Sequence, residues 1–156
     1  MDLGAARSLV LQLMAEHRIL DWDFAFDNSY RRFGVCRWQG RAIGLSRHLT
    51  RLNNEAQVRD TILHEIAHVL VGRKARHGPA WKAVARDIGA RPRRCYEDLA
   101  VLTPALPYLS QCPVCGHSQQ AARRPRKRRS CGRCAPVFDP RFLLHLEPNP
   151  AYGGRP

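Results

Sequence analysis

The chain has 156 residues, 44% of them hydrophobic, and a formal net charge of +13. That length suits one compact domain plus a small appended module, and that apolar fraction excludes a disordered tail. No run approaches the roughly 18 uncharged apolar residues of a membrane span, and the N-terminus mixes acids and arginines into its apolar positions where a secretion signal would not. A soluble, unexported, cytoplasmic protein is therefore expected.

Leu3, Ala6, Val10, Leu13, Met14 and His17 recur at helical spacing, which predicts an amphipathic helix over residues 3–19. Trp22, Phe24 and Phe26 then alternate with polar neighbours, a strand period. "FGVCRWQGRAIGLS" reads as two short strands around a Gln39-Gly40 turn, so a small antiparallel sheet beside helices is expected. Asn53 or Asn54 can cap a helix from Glu55 to Val71, with Gly72 as its stop. His77-Gly78-Pro79 opens a further helix that Gly89 ends. The two prolines of "LTPALPYLS" mark residues 103–110 as a linker. Trp22, Trp38 and Trp81 read as core or sheet-covering aromatics, Trp38 having the alternative of stacking on an unpaired base. Cys36 and Cys95 read as ordinary buried or half-buried thiols.

The 55–71 helix carries His64-Glu65-x-x-His68 in its second half. Residues four apart differ by about 40° in direction on a helix, so both imidazoles leave one face and can reach a tetrahedral zinc. Glu65 lies near that face without being obliged to coordinate, placed to take a proton from a metal-activated water. A catalytic zinc needs a third protein ligand and an open fourth position. His77, just past the helix-ending glycine, is the best third ligand, with Asp87 and Glu97 as carboxylate alternatives. Tyr96 is a candidate to stabilise an oxyanion. Two buried histidines and a buried glutamate could also be plain core residues, but burial without a partner is costly, and a metal supplies that partner.

Downstream, Cys112-x-x-Cys115 and Cys131-x-x-Cys134 flank fifteen residues, the spacing of a zinc ribbon. Four thiolates leave no open position, so this zinc is expected to be structural, with His117 left at the surface. Six charges sit between the knuckles: Arg123, Arg124, Arg126, Lys127, Arg128 and Arg129. No carboxylate occurs between Asp98 and Asp139, and 23 of the 26 basic residues are arginine, whose fork suits phosphate. A second basic set comprises Arg73, Lys74, Arg76, Lys82, Arg86, Arg91, Arg93 and Arg94. Together they point to nucleic acid.

With these residues in view, the chain resembles the SprT-like zinc metalloproteases, the family that includes the DNA-protein crosslink protease Spartan. "RRFGVCRWQGRAIGLSRHL" is similar to the family's hairpin, "TILHEIAHVL" to its metal helix, and "HGPAWKAVARDIG" to the segment bringing the third histidine. The cysteine pairs resemble the ribbon that follows the protease core in many members. The resemblance implies an α+β, zincin-like core plus a C-terminal zinc ribbon, with His64, His68 and His77 on zinc and Glu65 as base. It also implies proteolysis of proteins bound or crosslinked to DNA. Eight residues separate His68 from His77, a shorter interval than in eukaryotic members, so specificity does not carry over.

The expected organisation is a protease core over 1–104, a ribbon with its basic loop over 105–146 and a flexible tail over 147–156. The expected cofactors are two zinc ions, one catalytic and one structural. The expected partners are DNA with single-stranded features and DNA-bound proteins, with no membrane, a monomeric state and a nucleoid association if the source is prokaryotic. Two rival readings remain at this point. One is a non-enzymatic nucleic-acid-binding zinc protein, the other a metalloprotease directed to RNA or acidic protein partners.

Overall fold

A computed structural model describes residues 1–93 and 101–153. The chain divides into two compact units, Met1–Thr103 and Pro104–Pro156. Among the described residues no helix is long and apolar enough to cross a membrane.

The first unit opens with α1 (Leu3–Glu16), capped by Asp2, whose carboxylate accepts the N–H groups of Gly4 and Ala5 at 2.7 and 3.1 Å. Its apolar face buries Ala6, Leu9, Val10, Leu13 and Met14. The helix stops three residues before the predicted end. Arg18 takes a left-handed backbone (φ 56°), and the N–H of Ile19 bonds back to Met14 O at 2.8 Å. That turn tucks Ile19 into the core and aims the chain at the sheet.

Strands β1 (Asp23–Asp27), β2 (Gly34–Arg37) and β3 (Ala42–Ser46) form one sheet in the order β1-β3-β2. The sheet is mixed, not wholly antiparallel as the hairpin pattern suggested. β2 and β3 do pair antiparallel, with Gly34 opposite Leu45 and Cys36 opposite Ile43. β1 instead runs parallel to β3, with Phe24 beside Ile43 and Phe26 beside Leu45. The reason lies in the connection after β1. Asp27 accepts the Ser29 N–H and Ser29 Oγ accepts the Arg32 N–H, a turn that carries β2 past β1 and leaves a slot for β3. Ile43 and Leu45, both fully buried, fill that slot.

Ser46 ends β3 and caps α2 (Arg47–Leu52), a short helix the sequence pattern did not reveal. α3 (Glu55–Val71) follows. Of its two cap candidates the structure uses Asn54: its side chain accepts the Gln57 N–H, and Gln57 Oε1 accepts the Asn54 N–H, both at 3.0 Å. Such a cap stabilises a helix by about 1 kcal/mol. Asn53 is buried and serves the core, donating to Leu49 O and Leu102 O and accepting the Leu102 N–H. α3 packs against α1, β2 and α4 (Pro79–Asp87) and buries Val58, Ile62 and Ile66 completely. His64, Glu65 and His68 therefore stand on a helix packed on several sides.

The second unit is an antiparallel sheet in the order β5-β4-β6, from β4 (Tyr108–Gln111), β5 (Ser118–Ala121) and β6 (His145–Pro148). Two expectations are corrected here. Residues 108–111 belong to the central strand, so the 103–110 linker is shorter than its prolines implied. Residues 147 and 148 close β6, and Asn149 is buried, donating to Leu106 O at 2.8 Å. The tail as far as 149 is thus part of the fold, because its polar side chain satisfies a buried carbonyl.

Candidate metal centres

Gly72, at φ 84°, ends α3 with its N–H on His68 O at 3.0 Å. A single 3-10 turn over Arg73–Ala75 follows, then Arg76, His77 and Gly78, and Pro79 starts α4. This short reversal returns His77 to the face from which His64 and His68 project. The Nε2 atoms of His64 and His68 each lie 3.1 Å from Nε2 of His77, and all three ligand atoms fall within 4.8 Å of one another.

Burial explains the protonation state of the group. Desolvation, and after it the neighbouring imidazoles, push His64 down to about 3. Desolvation and His77 push His68 down to about 4. Both rings are then neutral at pH 7, with lone pairs available. Three Nε2 atoms converging at such distances can turn their lone pairs on one point. A cation fits: tetrahedral zinc with nitrogens at about 2.0–2.1 Å sets them roughly 3.3 Å apart.

The floor of this cluster is Trp81 of α4, which is fully buried. Its ring centroid lies 4.6 Å from His64, 4.7 Å from His77 and 5.2 Å from His68. Sequence periodicity marks Trp81 as core; it gives no sign that all three imidazoles rest against it. Trp22 and Trp38 pack edge to face at 5.3 Å on the sheet.

Glu65 lies against β2, beside Gly34. Only 6% exposed, its carboxyl is pushed up to about 8 by burial, against the pull of the Arg32 charge and the Cys36 backbone N–H. It fits because position 34 is glycine. A Cβ there would stand 2.6 Å from Glu65 Oε1 and 2.8 Å from both its Cγ and Thr61 Cγ2. Gly34 is thus a site residue with no motif to announce it.

His64, Glu65, His68 and His77 open together into a cleft of about 830 Å³. Its walls include Gly34, Val35 and Cys36 of the edge strand β2, and Arg31, Arg32, Arg73 and Arg76. Cys36 is half-buried, its thiol pushed up to about 12 by burial and by Glu65. Asp87 is exposed and stands outside the histidine group. Arg94, Cys95, Tyr96 and Glu97 lie outside the described residues.

The second centre gathers Cys112, Cys115, Cys131 and Cys134. Sγ of Cys112 and Cys134 are 3.8 Å apart, and those of Cys115 and Cys131 are 3.6 Å apart. Four sulfurs about 2.3 Å from a tetrahedral zinc would stand roughly 3.8 Å from each other. The Cys115 backbone N–H, first among several donors, draws the Cys112 thiol down, while the hydrogen bond from Cys115 and the neighbouring sulfurs push Cys134 up, so within the set the first thiolate falls to Cys112. His117 takes no part; its carbonyl accepts the Cys112 N–H at 2.9 Å. Arg123, Arg124, Arg126, Lys127, Arg128 and Arg129 are all exposed. All but Arg123 line one hollow of about 300 Å³, with Ser110 and Gln119. Arg124 also lies over the Tyr108 ring, 5.3 Å from its centroid.

A family model described as the SprT-like family matches residues 9–100. Among solved structures, the metallopeptidase zymogen of Methanocaldococcus jannaschii jannalysin is similar at a TM-score of 0.48 and 14% identity, over 53% of this chain and 79% of that one. No curated protein matches.

Proposed function

The chain belongs to the SprT-like family, and on that premise we propose that it is a zinc-dependent endopeptidase acting on proteins bound or crosslinked to DNA. The observation that carries the reading is the meeting of three imidazoles with a buried carboxyl in one open cleft. His64, His68 and His77 would hold the catalytic zinc. When bound, zinc supplies Lewis acidity, polarising a carbonyl and making water acidic enough to attack near pH 7.

Glu65 does the proton work. Its carboxylate accepts a proton from the attacking water as the new C–O bond forms, and returns it to the amine nitrogen as the C–N bond breaks. β2 borders the cleft from the edge of its sheet, so an extended substrate can add its backbone hydrogen bonds there. Trp81 keeps the three imidazoles from turning, and its burial excludes water from beneath them.

Position 34 gives a test of this geometry. Gly34→Ala is expected to lower kcat by about 10- to 100-fold, because an added methyl must displace Glu65 from its place. Zinc content should stay unchanged. An unaltered kcat would mean that the position of Glu65 is not what sets the rate.

The ribbon would hold the second, structural zinc and present its arginines to phosphates without reading sequence. Cleavage of a DNA-bound protein, with and without single-stranded DNA, tests the recruitment. Stimulation of at least about tenfold at low salt is expected, fading as salt rises, because released counterions drive such binding. Equal stimulation by RNA would overturn the preference for DNA and leave a protease drawn to nucleic acids in general.

A further inference from the structure

We infer that the cleft selects polypeptide segments with an aspartate or glutamate beside the scissile bond, and that Arg73 is the residue that holds it. The inference rests on the protease reading above and adds the substrate class. It begins with an imbalance of charge among the described residues: four arginines line the cleft against one carboxylate, Glu65, which is buried and given to proton transfer.

The arginines are not equivalent. Arg32 bonds Asp27 Oδ2 at 2.6 Å, and Arg37 bonds the same oxygen at 2.6 Å, so Asp27 answers both. Among the described residues no carboxylate pairs with Arg31, Arg73 or Arg76, and all three are exposed. Arg73 lines two hollows at once. One is the cleft; the other, of about 330 Å³, is formed by Arg37, Trp38, Gln39 and Arg73. Trp38 is common to both as well, so the smaller hollow opens beside the reaction site. Arg37 is already held by Asp27, so the receptor for a carboxylate is the Arg73 guanidinium, whose fork matches the two oxygens, with Gln39 and Trp38 lining the same hollow.

Arg76 adds to the same field. It immediately precedes His77 and has φ 47° and ψ −129°, a backbone that favours glycine. The same short loop uses glycine where its backbone turns left-handed at 72, so a strained arginine at 76 marks a side chain that is used. A nucleic-acid phosphate is the other anion these groups could meet. The position of Arg73 and Arg76 in the loop that delivers His77 favours the peptide, because a strand lying there would cover His77 and Glu65 and shut the substrate out.

The test compares two peptides that differ only in carrying Glu or Lys on each side of one cleavable bond. Both are given to the zinc-loaded full chain, to Arg73→Glu and to the milder Arg73→Ala. The wild type is expected to favour the Glu peptide by about 10- to 100-fold in kcat/KM, Arg73→Ala to shrink that ratio and Arg73→Glu to bring it to one or below. A ratio near one in the wild type, or one untouched by Arg73→Glu at equal zinc content, overturns the inference while leaving the protease reading intact. If Arg73→Glu alters only stimulation by single-stranded DNA, the group holds phosphate and the inference also falls. Failure of the zinc-loaded wild type to cut any peptide or DNA-bound protein removes the protease reading and this inference with it.

Discussion

Glu65→Gln is expected to reduce cleavage by about 100- to 10,000-fold, the range over which a positioned general base contributes, while both zinc ions stay bound. Glutamine has the same outline, so it fits beside Gly34 and Thr61 where a bulkier residue would not. What it lacks is a basic oxygen. The substitution should at the same time stabilise the zinc-free fold at alkaline pH. The Glu65 carboxyl is raised from an ordinary 4.5 to about 8 by burial, so the unfolded chain gives up this proton first. Stability contributed by the group is complete below pH 4.5 and is lost as pH climbs toward 8. Glutamine has no such loss, so the variant's advantage in Tm should be absent at pH 4 and greatest above pH 8. Full activity in a zinc-loaded Glu65→Gln protein would remove Glu65 from the mechanism.

The metal helix was legible because every local signal agreed: an apolar stripe, asparagine before it, glycine after it and two histidines one turn apart. The cap came down to Asn54 over Asn53, a choice made by a tertiary contact, since Asn53 is claimed by Leu49 and Leu102. The parallel pairing of β1 with β3 was not legible. Alternation of Phe24 and Phe26 announces a strand, but strand partners are set by chain reversals and burial elsewhere. Trp81 and Gly34 escaped for a related reason. Each acts through what it touches across the fold, and periodicity records only that a position is buried or small. Arg73 and Arg76 appeared in the sequence as part of a diffuse positive charge; only the folded loop sets both on the wall of the cleft that holds Glu65.

Cys131→Ser is expected to unfold the second unit outright, because that unit has almost no hydrocarbon core to fall back on. Among its described residues the buried hydrophobic positions are Leu106 and two of the ligands themselves, Cys112 and Cys131. A module this small cannot close on such a core, whereas zinc bound to a site of this type contributes on the order of 10–16 kcal/mol of apparent binding free energy to folding. Cys131 also fixes the local chain, its N–H donating to Phe142 O at 2.9 Å and its carbonyl accepting from Cys134 and Ala135. Serine keeps those backbone bonds and removes the soft thiolate. The variant should bind one zinc equivalent fewer, lose slow amide exchange across β4, β5 and β6, and bind single-stranded DNA at least about tenfold more weakly at low salt, since its basic loop is no longer held in one arrangement. Amides of α1 and α3 should still exchange slowly, because their core is Val10, Leu13, Ile62, Ile66 and Trp81 and owes nothing to that metal. A variant that retains two zinc equivalents and a protected β4 would show that the cysteines are not what folds the ribbon.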